Sequence, residues 1–249
     1  MIEAERGHVL VIGAQRSGST YLSAALDAHP EITMARPARP EPKVFCDAEM
    51  SARGREWYHR TWFGHARDER LLGEKSTSYL EDPEAPARVA DMLGEAHVVA
   101  VLRNPLQRAV SNWRLSTQHG LESRPLEDAL IADLAGEQSW DRTITSVSPF
   151  AYLRRGRYVD HLAPWSFVFP QTMHVLFLED LLTDSAVLTD LLRDLGVDPD
   201  RAPAPPVGPV NESGGDVPAL SSAFMGTVET YFEESNAALS AHLGRTLPW

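Results

Sequence analysis

The strongest constraint on the fold lies near the start of the chain. There an apolar run, Val9-Leu-Val-Ile12, breaks into Gly13-Ala-Gln15-Arg16-Ser17-Gly18-Ser19-Thr20 and then into apolar residues at helical spacing, Tyr21, Leu22, Ala25 and Leu26. An unbroken apolar run of this kind suits a strand buried on both faces, as in parallel sheets whose strands are joined by helices. Glycines at both ends of the loop permit a tight turn that aims backbone N–H groups at one point. The helix that follows adds the positive end of its dipole. The loop is therefore a candidate phosphate cradle, with Gln15, Arg16, Ser17, Gly18, Ser19 and Thr20 as its ligands; the alternative is an ordinary glycine-rich strand–helix turn.

The rest of the chain repeats the alternation. Strands are predicted at His8–Ile12, Leu71–Glu74, His97–Leu102 and Met173–Leu178. Helices are predicted at Thr20–Ala28, Glu56–Phe63, Ala85–Leu93, Pro105–Ser116, Leu126–Leu134, Phe150–Trp165, Val187–Leu195 and Ala219–Leu243. Buried strands separated by helices imply an α/β fold, a parallel sheet with helices on both faces, and ligands bind such sheets beyond the carboxyl ends of the strands where strand order reverses. At 249 residues, with no linker and no internal repeat, the chain is expected to form one domain over 1–249.

Composition removes several function classes. A net charge of −12 argues against a nucleic-acid or membrane-surface partner, which needs a broad basic face. Val9–Ile12 is too short for a signal core or a membrane span, and the single Cys46 permits no internal disulfide, so a soluble protein of the cytoplasm is expected. No metal is implied, because there is no H-E-x-x-H, no cysteine pair and no Asp-rich calcium loop. Of the 23 basic residues only Lys43 and Lys75 are lysine, and both fall in segments that matter below.

A second candidate anion site follows the strand at His97–Leu102. Arg103 stands at the strand's end, Pro105 opens a helix, and Ser111 lies two turns along it, near the face of Asn104. A guanidinium fork and a hydroxyl close to a helix start suit a second phosphate, whereas pairing of Arg103 and Arg108 with surface acids is the plainer alternative. The first loop has the glycine spacing of the nucleotide-binding G-x-x-x-x-G-K-[ST] loop, but Ser19 occupies the lysine position. That substitution weakens a kinase reading, which would also need Mg²⁺ ligands such as Glu179 or Asp180.

Together the two loops resemble the 5′-phosphosulfate loop and the 3′-phosphate motif of sulfotransferases that use 3′-phosphoadenosine-5′-phosphosulfate (PAPS), in particular the heparan-sulfate-type and related bacterial members. The resemblance extends in order through Arg39-Pro-Glu41-Pro-Lys43-Val-Phe45, Gly73-Glu-Lys75-Ser-Thr-Ser-Tyr79, Gly156-Arg-Tyr158, Leu178-Glu-Asp180-Leu and the ending Leu243-Gly-Arg-Thr-Leu-Pro-Trp249. There are departures. Lys43 stands where the family often has histidine, and the region matching a basic loop of the animal members, Pro209–Pro218, carries no basic residue. Any contact from that loop to the 3′-phosphate falls to backbone or to Asn211.

The resemblance implies PAPS as co-substrate, adenosine-3′,5′-diphosphate as product, and Glu41 as the catalytic base. Sulfuryl transfer asks for in-line positioning and charge stabilisation. Lys75, a compact ammonium, suits the oxygen that leaves with the nucleotide, and Arg16 suits the phosphosulfate. Arg103 and Ser111 are assigned to the 3′-phosphate, and Tyr158 to the nucleotide or acceptor unless it is core. Lys43 and Trp62 are candidates for the acceptor side. Of Trp57, Tyr58, Trp62 and Phe63, two are expected to be core; His29, His59 and His65 are the weaker candidates for a base. The acidic balance favours a small or carbohydrate-like acceptor, through its hydroxyl or amine. The competing readings are a small-molecule kinase with a degenerate loop and a nucleotide-binding protein without catalysis.

Overall fold

The computed structural model describes residues 6–141, 143–145, 147–203 and 218–249. The chain forms two compact units: Met1–Leu102 with Leu162–Val210, and Arg103–His161 with Asn211–Trp249.

The first unit holds a five-stranded, all-parallel sheet: β1 (Gly7–Gly13), β2 (Ile32–Met34), β3 (Leu71–Lys75), β4 (His97–Leu102) and β5 (Met173–Phe177), in the order β2-β3-β1-β4-β5. Val9 to Ile12 and Val98 to Leu102 are fully buried, as their apolar runs require. The helices here are α1 (Ser19–Asp27), α2 (Ala48–Ser51), α3 (Gly54–Trp62) and α4 (Ala85–Leu93); later in the chain come α8 (Leu178–Thr183) and α9 (Ser185–Asp194). Tyr21, Leu22 and Leu26 of α1 pack with Leu191, Leu192 and Leu195 against Val9, Val11, Val99 and Val101 of the sheet. The Met34 side chain of β2 packs over Gly73, where a Cβ would meet its Sδ at 2.2 Å and displace it. The α/β fold with a parallel sheet flanked by helices is thus present as predicted.

Two predicted elements differ. The strand after Thr172 stops at Phe177, and Leu178 begins α8. The helix predicted over Phe150–Trp165 begins only with a 3₁₀ turn at Arg154–Gly156 and becomes α7 at Tyr158–Val168. Side chains claim the backbone groups a helix would need. Asp133 accepts from the Leu153 N–H at 2.6 Å and the Arg154 N–H at 3.2 Å, and buried Arg108 donates to the carbonyls of Ala151 and Tyr152. The second unit otherwise contains α5 (Pro105–Gln118), α6 (Leu126–Ala135) and α10 (Ser222–Leu243), whose apolar faces share a core of Ala109, Leu126, Leu130, Phe224, Val228 and Phe232.

At the amino edge of the sheet, buried His8 faces His59 with their Nε2 atoms 2.8 Å apart. Burial first, then the charges of His59 and Arg55, hold the His8 imidazole down at about 3. His8 is therefore neutral in the fold, while the unfolded chain takes up a proton below about pH 6.5. Stability from this residue is complete above that pH and falls as the pH drops toward 3. Between pH 8 and pH 5 the loss amounts to about 2 kcal/mol. Urea unfolding of the wild type and of His8→Phe at both pH values should show that much of the pH dependence disappearing in the variant; an unchanged pH dependence would contradict it.

Candidate active site

The glycine loop sits at the carboxyl end of β1, beside β3. Val11 pairs with Lys75, and the Ser76 N–H donates to the Val11 carbonyl at 3.1 Å, so the ends of the two strands open on one place. Gly18 caps α1 in the left-handed region, at φ 91°, and lends no side-chain cap. The backbone there favours glycine, and a Cβ would also displace the Leu178 side chain, whose Cδ1 it would meet at 2.5 Å. The helix's first N–H groups are left without a side-chain cap, as an anion site needs. Ser17 is fully buried and its Oγ has no protein partner among the described residues. Arg16 also lies in the left-handed region, at φ 70°, an uncommon conformation for a residue with a Cβ. A buried hydroxyl without a partner beside uncapped amides fits a phosphate-bearing group.

Glu41 and Lys75 meet directly. The Lys75 ammonium donates to Glu41 Oε1, while the Thr77 N–H and hydroxyl donate to Oε2 at 2.9 and 3.1 Å. Both side chains are largely but not wholly enclosed, Lys75 at 12% exposure and Glu41 at 17%. The partner of Lys75 is thus Glu41 and not the adjacent Glu74. Strand alternation explains this: neighbours on β3 point to opposite faces. Lys75 enters the site, and Glu74 enters the core at 0% exposure.

Glu74 has no sequence-assigned role, yet it is heavily bonded. It accepts from the hydroxyls of Tyr58 and Tyr79, each at 2.5 Å, and from Ser76 at 2.7 Å. Burial pushes its carboxyl up, and the three hydroxyl donors pull against that. Burial and the neighbouring Glu74 push both tyrosines well above the usual phenol range. The signal available in the sequence was a carboxylate inside a buried strand, which is costly unless fully bonded.

The other candidates are placed as follows. Lys43 adopts φ 52° and donates its N–H to Ser76 Oγ at 2.9 Å. Tyr58 and Phe63 are core residues. Trp57 lies under the Arg53 guanidinium at 4.7 Å, and Trp62 is partly buried, with its carbonyl accepting from the Arg36 N–H. His29 and His65 are engaged with backbone groups, at Asp198 and Met34 respectively, and His59 with His8. A cleft of about 190 Å³ reaches Lys75, between Thr20, Ser23 and Asp27 of α1 and the segment carrying Arg36, Arg39 and Pro42. Among the described residues no group of three or more His, Cys, Asp or Glu could hold a metal ion, and no helix is long and apolar enough to cross a membrane.

In the second unit Asn104 caps α5 by accepting from the Gln107 N–H, and Arg103 Nε reaches Gln107 Oε1 at 3.4 Å. Ser111 is nearly buried, at 9% exposure. Tyr158 is fully buried against Trp249 and donates its hydroxyl to the Arg103 carbonyl at 2.7 Å, so it supports the backbone of Arg103 from the core. Asn211 lies outside the described residues.

A parallel sheet with an uncapped glycine loop at one strand end and a Glu–Lys pair at the next defines an α/β protein built to hold an anionic ligand. The chain belongs to the sulfotransferase family, which is PAPS-dependent: residues 6–190 match the family's sulfotransferase domain. It is 32% identical over 181 residues to human heparan sulfate glucosamine 3-O-sulfotransferase 6, covering 71% of this chain and 48% of that protein. It is 31% identical over 163 residues to a bifunctional heparan sulfate N-deacetylase/N-sulfotransferase 1 of Caenorhabditis elegans, covering 63% and 18%. The chain thus spans about half or less of the curated relatives it matches. Among solved structures it resembles a sulfotransferase from Alicyclobacillus acidocaldarius, with a TM-score of 0.76 at 24% identity over 98% of both chains. It also resembles a sulfotransferase domain from the curacin biosynthetic pathway, with a TM-score of 0.52 at 15% identity over 98% and 99%.

Proposed function

We propose that this chain, as one sulfotransferase domain, moves the sulfuryl group of PAPS to a hydroxyl or amine of a small or carbohydrate-like acceptor, with Glu41 as the base. The observation that carries this reading is the Glu41–Lys75 pair at the strand end beside the glycine loop. The acceptor gives its proton to Glu41 as its oxygen or nitrogen bonds to sulfur. The bond from sulfur to the bridging oxygen breaks, its electrons stay on that oxygen, and the Lys75 ammonium turns from Glu41 to neutralise the charge. Arg16 and the amides of Gly18, Ser19 and Thr20 hold the 5′-phosphosulfate, with the Ser17 hydroxyl beneath them. Arg103 and Ser111 are our proposed ligands for the 3′-phosphate. No step calls for a metal.

The curated relatives named above act on heparan sulfate. For this chain a small or neutral acceptor fits better, because a net charge of −12 works against a long polyanion. Adenosine-3′,5′-diphosphate should raise the melting temperature in the presence of EDTA, and Mg²⁺-ATP should not; a response to Mg²⁺-ATP alone would favour a kinase. Arg103→Ala should weaken adenosine-3′,5′-diphosphate by about 10-fold or more, the loss of a charged hydrogen bond, while sparing adenosine-5′-phosphosulfate. Equal losses for the two nucleotides would remove Arg103 from the 3′-phosphate.

A further inference from the structure

We infer that Glu74 is a positioning residue for the reaction: it sets the direction of two hydroxyl groups that hold the base-bearing segment in place. This inference rests on the reading of Glu41 as the base.

An ionised carboxylate is an acceptor only. Tyr58, Ser76 and Tyr79 each donate their hydroxyl to Glu74, and a hydroxyl whose hydrogen is engaged there turns its lone pairs outward. Ser76 donates to Glu74 at 2.7 Å and so can accept the Lys43 N–H, which it does at 2.9 Å. Tyr79 donates to Glu74 at 2.5 Å and so accepts the Phe45 N–H at 3.2 Å. Two chains, N–H to hydroxyl to carboxyl, thus run from the backbone two and four residues beyond Glu41 to one buried side chain. The third donor, Tyr58, ties the same carboxylate to α3, and the ring of Phe45 lies 5.6 Å from Tyr58 and 5.5 Å from Tyr79. The residue after Glu74 is Lys75, the ion-pair partner of Glu41. One strand end therefore fixes both members of the pair: Lys75 directly, and Glu41 through its own downstream backbone.

A neutral amide at position 74 breaks the polarity. It offers one acceptor oxygen to three hydroxyl donors, which weakens the inward bonds that fix the directions of Ser76 and Tyr79, and with them the acceptors of the Lys43 and Phe45 N–H groups. The test uses Glu74→Gln, with Tyr79→Phe and Ser76→Ala as variants that each cut one chain while keeping the core filled. Amide hydrogen exchange is the first readout. Glu74→Gln should speed exchange selectively at Lys43, Phe45 and Thr77; Ser76→Ala should do so at Lys43, and Tyr79→Phe at Phe45. A uniform rise across the sheet would show a fold role only and overturn the proposal.

Turnover is the second readout, followed as adenosine-3′,5′-diphosphate released from PAPS in water and with glucosamine or 2-naphthol added. Glu74→Gln should lower turnover by about 10- to 100-fold, as misplacement of a reacting group does, with nucleotide affinity kept. Combined with Glu41→Gln it should add almost nothing, because both act through one carboxylate. Losses that multiply, or wild-type turnover in all three variants, would overturn the proposal. Wild-type turnover in Glu41→Gln alone would instead overturn the assignment of the base, while the exchange pattern would still report on Glu74. If Glu74→Gln does not fold, the two single-chain variants carry the same comparison.

Discussion

Glu41→Gln is expected to lower turnover by about 10²- to 10⁴-fold, the range for a positioned general base, while the affinity for adenosine-3′,5′-diphosphate stays within about twofold. The amide keeps the shape and one acceptor oxygen but takes no proton at neutral pH. It also meets three donors with one oxygen, since Lys75 and the two Thr77 groups all point at the carboxylate. The segment is held independently of Glu41, through the Lys43 and Phe45 amides, so the backbone should not move. Single-turnover measurements with radiolabelled PAPS separate the outcomes. A slow transfer step with unchanged binding supports the base. A matching loss of nucleotide affinity would mean that Glu41 serves to hold Lys75 or the loop, and another group takes the proton.

The parts of this site that could be read from residues alone are those with a local signal. An apolar run meeting two spaced glycines specifies strand, loop and helix start, and the structure has them at Gly7–Gly13 and Ser19–Asp27. Lys75 was legible as one of only two lysines, in a segment matching a family motif. What escaped was non-local. The three-residue strand Ile32–Met34 is too short to show a period, and only its pairing with β3 makes it a strand. The Phe150–Arg157 segment has helical spacing, but Asp133 and Arg108 capture its backbone from other elements. Tyr158 carries a motif position and yet is core. Glu74 has no role assigned from the residues alone. Strand alternation at β3 was enough to separate it from Lys75, but the three hydroxyls that make a buried carboxylate tolerable come from positions 58, 76 and 79 and needed the fold to be seen together.

Removal of the Lys75 charge carries the other large effect. Lys75→Met is expected to lower turnover by about 10²- to 10³-fold, comparable to the loss of one group that stabilises developing negative charge. The methionine fills nearly the same volume on β3 and leaves the strand pairing with Val11 intact, so folding should survive. Lys75→Arg tests the shape of the cation as well as its charge. A planar fork cannot follow charge from the sulfuryl group to the bridging oxygen as a rotating ammonium does, and in this partly enclosed setting it must also find room beside Glu41. Turnover in Lys75→Arg should therefore fall too, by less than in the methionine variant. The ion pair makes the double variant informative. If Lys75 acts only by holding Glu41, Glu41→Gln with Lys75→Met should be no slower than Glu41→Gln alone. If Lys75 acts on the leaving oxygen, the double variant should be slower than either single one. Near-normal turnover in both Lys75 variants would take the residue out of the chemistry and leave its pairing with Glu41 as its whole role.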